Sequence, residues 1–199
     1  MTNNTTTTVL SKFTERRNIL RVGAGVAVAL MASPALARSI APVSVKGERS
    51  LSLYNIHTGE SLNTVYWQDG LYIPDEMASI NHILRDRRNG EMEQMDIRLI
   101  DMLSELHNKV DGKKAFQIIS GYRSPASNSK LRKVSAKGGV AKKSLHMQGR
   151  AMDIRLPRVE LKHLHKAAVQ MKKGGIGYYP RDGFIHVDTG RVRYWGQHA

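Results

Sequence analysis

The chain contains no cysteine. Disulfides, thiolate nucleophiles, iron–sulfur clusters and every cysteine-based zinc site are therefore excluded, and any metal must be held by His, Asp or Glu. Acidic residues are scarce, 17 against 31 Lys and Arg, which leaves a formal net charge of +14. Aromatic residues make up only 6%. No apolar run approaches the roughly 18 residues of a spanning helix, so stable membrane insertion is not expected. Glycine and proline show no period, which excludes a fibrous chain. The chain does have 199 residues, 41% of them apolar, enough for one domain with a core and short for two.

Residues 1–37 read as an export signal and not as part of the fold. A polar stretch leads to Arg16-Arg17-Asn18-Ile19-Leu20-Arg21, a mild Val/Ala/Gly run follows, and Ala35-Leu36-Ala37 fits a small-x-small cleavage site. The arginine pair ahead of a weakly apolar run resembles the bacterial twin-arginine signal. An ordinary secretory signal and an uncleaved N-terminal anchor are the alternatives. Cleavage after Ala37 would deliver residues 38–199 to the periplasm. Residues 1–37 carry four of the cations and one acid, so the remainder keeps +11. Such a surface favours polyanions. Export makes nucleic acid the least suitable partner, and an anionic lipid surface or wall polymer the better ones.

Residues 38–48 read as a linker, and residues 49–199 as the folded domain. Leu51, Leu53 and Asn55 alternate with Ser52, Tyr54 and Ile56, which predicts a strand; 61–67 is a second strand after a turn. Pro74-Asp75-Glu76 opens a helix whose apolar face is Met77, Ile80, Ile83 and Leu84. Ile97, Ile100, Leu103, Leu106 and Val110 recur at helical spacing over 96–110. A short strand is expected at 116–120, and a polar, basic helix and loop over 127–141. Strands at 151–156, 176–179, 184–188 and 192–195 surround a helix at 160–172. The order predicts an α+β fold, a mainly antiparallel sheet with flanking helices.

Six of the eight histidines, His57, His82, His107, His163, His165 and His198, read as solvated or capping imidazoles. His146 and His186 differ in their neighbours. In the strand at 151–156, Met152, Ile154 and Leu156 point to the core, which puts Asp153 on the open face, within reach of the loop that carries His146. Gly149 lets the chain turn between them. In the strand at 184–188, Ile185 and Val187 face the core, while His186 and Asp188 share the other face. Two histidines and a carboxylate on open faces of neighbouring strands can give three ligands of a tetrahedral zinc and leave a fourth position for water.

The pattern Ser144/His146/Gly149/Ala151/Asp153, followed by His186, resembles the zinc peptidases that include the D-Ala-D-Ala dipeptidases and carboxypeptidases, within the wider lysostaphin/hedgehog-like group. Ser120-Gly121-Tyr122-Arg123-Ser124 with Asn128, Gly175 to Pro180, and Phe184 to Gly190 with Arg193-Tyr194-Trp195 extend the resemblance over roughly 45–197 and point to a murein endopeptidase branch. The resemblance implies a hedgehog/D-Ala-D-Ala-peptidase-like fold, Zn2+ held by His146, Asp153 and His186, and Arg123 facing substrate. It also implies hydrolysis of peptide cross-links of peptidoglycan, in diaminopimelate-containing bridges. Many relatives carry a catalytic Glu three residues before the last ligand, where this chain has Gly183. The general base is then Asp188 or Asp182, and Asp188 has the competing role of orienting a ligand. Two other functions stay open beside the endopeptidase: a non-catalytic, zinc-containing cell-wall binding module and a D-Ala carboxypeptidase. Oligomeric state is not legible.

Overall fold

A computed structural model describes residues 46–135 and 139–196. The expected export signal (1–37) and most of the expected linker lie outside the described residues, as does His198. The described residues all fall within one unit, residues 42–199.

The two N-terminal strands, β1 (Glu48–Asn55) and β2 (Ser61–Gln68), form where the alternation predicts them, with Leu51, Leu53 and Asn55 buried. A two-residue strand, β3 (Leu71–Tyr72), follows the Asp69-Gly70 turn. Helix α1 (Pro74–Ile83) begins at its proline, and Ile80, Ile83 and Leu84 are buried. Helix α2 (Ile97–Lys109) is capped by Asp96, whose side chain accepts from the Arg98 N–H. Strand β4 (Phe116–Ser120) leads into helix α3 (Pro125–Val134), which starts earlier than the polar run alone suggested because Ser124 caps it and Pro125 occupies its first turn. A short 3-10 helix, Leu145–Gln148, precedes β5 (Ala151–Arg155). Helix α4 (Leu161–Met171) then leads to β6 (Gly175–Tyr179), β7 (Phe184–Asp188) and β8 (Arg193–Gly196).

The strands form one eight-stranded sheet in the order β3-β2-β1-β4-β5-β7-β6-β8. The fold is α+β, but the sheet is mixed, which corrects the expectation of a mainly antiparallel one. β1 pairs with β4, and β6 with β8, in parallel. Turn signals reveal hairpins, and hairpins give antiparallel neighbours. They say nothing about the passage through α1 and α2 that brings β4 back beside β1, or about the chain after β7 crossing to the far edge of β6.

Helices α1, α2 and α4 pack against the sheet, and Met152, Ile154, Ile185 and Val187 join Leu99, Leu103 and Leu164 in one core. That face consumes every second residue of β5 and β7. The residues between them, Asp153, His186 and Asp188, are thereby delivered to the other face. Burying Met152, Ile154, Ile185 and Val187 contributes roughly 1.5–3 kcal/mol each, so the register that delivers the polar set to the other face is strongly enforced.

Candidate metal centre

Asp153 and His186 are directly opposed in the β5–β7 register, and Gly177 of β6 is opposite His186 on the other side. His146 reaches the same point from the 3-10 helix. Gly149 ends that helix with φ +64, and a Cβ there would stand 2.4 Å from the Gln94 carbonyl oxygen. Glycine is thus required both by the turn and by the close approach.

Three acceptor atoms converge. Asp153 Oδ1 lies 2.8 Å from His186 Nδ1 and 3.3 Å from His146 Nε2, and the two nitrogens are 3.3 Å apart. The other nitrogen of each ring is engaged. His146 Nδ1 is 2.8 Å from the Gly121 carbonyl, which can only accept, so the proton sits on Nδ1. His186 Nε2 is 3.0 Å from Asp188 Oδ2, which fixes the opposite tautomer. With His186 neutral, two lone pairs and a carboxylate oxygen face one another, an arrangement that calls for a cation at the centre. Tetrahedral coordination with bonds of about 2.0–2.1 Å separates ligand atoms by about 3.4 Å, close to the spacing found here. In the absence of a cation the negative charge of the site is met by a proton on His186, which a bound metal would displace. Burial lowers the His186 pKa, but hydrogen bonds to Asp153 and Asp188 outweigh it and lift it to about 9. Burial raises the Asp153 carboxyl, and the adjoining His146 and His186 reverse this and hold it well below the usual carboxylate range.

Asp188 is fully buried, and both its oxygens are occupied. Arg193 grips it with a fork, Nη1 to Oδ1 at 3.0 Å and Nη2 to Oδ2 at 2.6 Å. The N–H groups of Gly190 and Gly175 donate to Oδ1 at 2.8 and 3.2 Å. Burial opposes its ionisation, yet these donors and His186 hold its pKa far below the ordinary value. Arg193 in turn lies over the Trp195 ring, 4.8 Å from its centroid.

Arg123 is buried beside the centre. Its Nη2 donates to Ser120 Oγ at 3.2 Å and stands 3.6 Å from Asp153 Oδ2, while its buried Nε has no partner. Burial lowers its pKa, partly offset by Asp153. The segment around it is held from both sides. The Tyr122 N–H donates to the Leu84 carbonyl at 2.7 Å and the Arg123 N–H to the His146 carbonyl at 3.2 Å. Buried Asp86 accepts from the Ser124 N–H at 2.9 Å.

These residues sit in an open cleft of about 390 Å3. One side is aromatic: Tyr179 stacks on Phe184, and Trp195 Nε1 donates to the Tyr179 hydroxyl at 2.8 Å. His146, Asp153, His186, Asp188 and Arg123 all line it; Asp182, exposed on the β6–β7 turn, does not. Gly183 shapes that turn with φ +73, a conformation a glutamate would adopt only under strain. The Arg193 fork was not foreseen in sequence. Its signal is Gly-x-Gly in β6 beside Arg-x-Trp in β8, because glycines within a strand mark close approach of a neighbour. A Cβ on Gly177 would meet the Trp195 indole at 2.7 Å, and one on Gly175 would meet Arg193 at 2.3 Å. Of the histidines read as idle, His165 departs from that reading: its Nε2 is buried without a partner, against the Tyr178 ring.

Residues 43–195 match the family described as peptidoglycan L,D-endopeptidase MepK. The chain is 42% identical over 182 residues to the peptidoglycan L,D-endopeptidase MepK of Escherichia coli K12, covering 90% of this chain and 96% of that protein. It is 36% identical over 157 residues to the probable peptidoglycan L,D-endopeptidase MepK of Haemophilus influenzae, covering 78% of this chain and 83% of that one. No solved structure matches the chain.

Proposed function

Because this chain belongs to the peptidase family described as peptidoglycan L,D-endopeptidase MepK, we propose that it is a zinc-dependent endopeptidase that hydrolyses peptide cross-links of peptidoglycan in diaminopimelate-containing bridges. The observation that carries the zinc assignment is the convergence of His146 Nε2, His186 Nδ1 and Asp153 Oδ1, each turned inward by a hydrogen bond or a register elsewhere. When bound, zinc supplies Lewis acidity, acidifying water and polarising a carbonyl.

The chain's own residues do the rest. His146 and His186 present neutral nitrogens because Gly121 and Asp188 hold their protons on the far side. Asp153 adds the anionic donor. Arg123, which lines the cleft, offers its guanidinium to a substrate carboxylate or to the oxyanion that develops on the scissile carbonyl. The wall of Tyr179, Phe184 and Trp195 shields one side of the centre from water and receives the aliphatic part of the substrate. Asp188 acts as the positioning partner of His186: a carboxylate with five donors and no exposure is a poor proton acceptor. Its other candidate role, general base, predicts a different kinetic outcome, worked out in the Discussion.

The fold reading extends to the hedgehog/D-Ala-D-Ala-peptidase type, supported by the residue pattern around the three donors. Export by the twin-arginine route to the periplasm rests on residues 16–37 and on where such a substrate is found. Among the described residues, no helix is long and apolar enough to cross a membrane.

Purified protein incubated with cross-linked muropeptides, with and without a chelator, tests the assignment by mass spectrometry of the products. Cross-linked dimers should resolve into monomers, and the chelator should stop this. Release of single alanines would replace the reading with a carboxypeptidase, and zinc uptake without any product would replace it with a binding module.

A further inference from the structure

The peptidase chemistry uses the floor of the cleft and leaves its α3 side unexplained. From Asp111 to Asp153 the sequence contains no acidic residue between those two. Within that interval Lys130, Arg132 and Lys133 on α3, and Lys142 and Lys143 after it, are all exposed. None of the five takes part in an ion pair among the described residues, unlike Lys173 with Glu105, Arg49 with Asp101 and Arg85 with Glu60. Like charges spaced as Lys130 and Lys133 are repel one another on a helix. The fold nevertheless holds the group together. Buried Asn128 donates from Nδ2 to the Ala141 carbonyl at 3.1 Å, and the Gly139 N–H donates to Ser135 Oγ at 3.3 Å. The chain after α3 is thus pinned back on the helix, and its Gly139, Val140, Ala141 and Lys143 line the cleft. Lys143 thus lies on the wall of the cleft, and the other four cations are exposed on the helix and loop to which that wall is pinned.

We propose that this wall is a docking surface for the free carboxylates of peptidoglycan stem peptides that flank the bond being cut; the proposal deepens the peptidase reading and rests on it. Three observations favour that partner over other polyanions. The cations continue into the cleft through Lys143, with Arg123 at its foot, so one bound strand spans both. No Phe, Trp or Tyr occurs between Arg123 and Leu145, so the basic segment itself carries no aromatic platform of the kind that stacks nucleic-acid bases. The wall also lacks the broad apolar face of a membrane-surface helix, since Val134 is the one large apolar side chain of α3 that is exposed. Lysines on flexible stems suit carboxylates at variable positions along a heterogeneous polymer.

The test uses the full chain carrying Lys130→Glu and Lys133→Glu, and separately Lys130→Gln and Lys133→Gln, with Lys166→Glu on exposed α4 as a charge control. Sedimentation with purified sacculi is measured from low to high salt. Wild-type binding should weaken as salt rises, and the Glu pair should lose about tenfold or more at low salt and show a flatter salt dependence, with the Gln pair between them. A soluble cross-linked dimer carries the same flanking carboxylates, so the Glu pair should raise its KM more than it lowers kcat, which is set by the untouched cleft floor. Wild-type sacculus binding by the Glu pair overturns the proposal, as does a logarithmic loss from Lys166→Glu, which changes half as much charge, of half that of the pair or more, because the effect would then reduce to net charge. Loss of binding to phosphatidylglycerol vesicles with sacculus binding intact also overturns it, in favour of a lipid surface. The two readings fail separately. A protein that binds sacculi through the wall but cuts nothing refutes the peptidase, and one that cuts the dimer while the Glu pair binds normally refutes only the docking surface.

Discussion

Replacing Asp188 by Asn separates orientation of His186 from proton transfer. The two side chains have the same shape, but the amide has one accepting oxygen and a donating nitrogen. At Asp188, Oδ1 faces Arg193 Nη1 and the N–H groups of Gly175 and Gly190, while Oδ2 faces Arg193 Nη2 and His186 Nε2. Whichever way the amide turns, its NH2 points at donors, and the Arg193 charge loses its partner. Breaking a fully buried pair costs about 3–5 kcal/mol; Arg193 is one-third exposed, so the stability loss should fall below that range. The effect on the metal centre is the more telling. Loss of the partner that orients a ligating histidine typically lowers metal affinity about 10–100-fold, equivalent to about 1.4–2.7 kcal/mol. Zinc affinity is measured by competition with a chromophoric chelator, and turnover of cross-linked dimers is measured across a zinc titration. The variant should bind zinc about 10–100-fold more weakly and regain most of its turnover when zinc is saturating. Unchanged affinity with turnover lost by about 10²–10⁴-fold at saturating zinc would refute the positioning role and make Asp188 the general base.

Arg123→Lys keeps the charge but removes the planar fork, and Lys cannot supply both the Ser120 contact and the guanidinium offered to substrate. Turnover should drop about 10²–10³-fold with zinc content unchanged; loss of zinc in step with activity would show that Arg123 only supports Asp153. Asp96 carries a pH-dependent contribution to stability. Burial raises its pKa, but hydrogen bonds from Arg98 and Thr189 prevail and bring it down to about 2, from an ordinary 3.8. A depressed carboxyl stabilises the fold above its unfolded pKa, and that contribution disappears as pH falls from about 4 to about 2. The shift corresponds to about 2 kcal/mol, so Asp96→Asn, which retains an N-cap, should melt about 4–8 °C lower at pH 7. The gap between wild type and variant should close as the pH approaches 2. A gap that persists unchanged at pH 2 would assign the effect to packing and not to charge.

The elements that read correctly from sequence are those whose pattern is local. Leu51, Leu53 and Asn55 in β1, and the 3.6-residue spacing of α2, needed no partner to be seen. The meeting of Asp153 and His186 was legible for the same reason, since alternation in β5 and β7 separates them from their apolar neighbours. What could not be read depends on non-local contacts. The choice of Nε2 on His146 follows from a Gly121 carbonyl 25 residues away. That carbonyl is in place because Gly121 passes so close to α1 that a Cβ would stand 2.5 Å from the Leu84 oxygen. A glycine in Ser-Gly-Tyr-Arg therefore encodes which nitrogen faces the metal, through a contact invisible in one dimension.

The mixed character of the sheet has the same kind of consequence for the other histidine. β7 is enclosed between β5 and β6, so β8 finds no free edge on it for a simple hairpin. Instead it crosses and runs parallel to β6, with Gly175 opposite Arg193 and Gly177 opposite Trp195. The two glycines leave β6 without side chains on that face, so Arg193 reaches over the strand to Asp188 and the indole of Trp195 settles 5.2 Å from the His186 ring. Asp188 and His186 are on β7, opposite those same glycines, so the order of three strands aligns arginine, carboxylate and imidazole in a row that ends at the metal centre. The parallel pairing that the turn signals missed therefore serves the site, because a β8 placed anywhere but beside β6 would leave the Asp188 charge buried without its guanidinium.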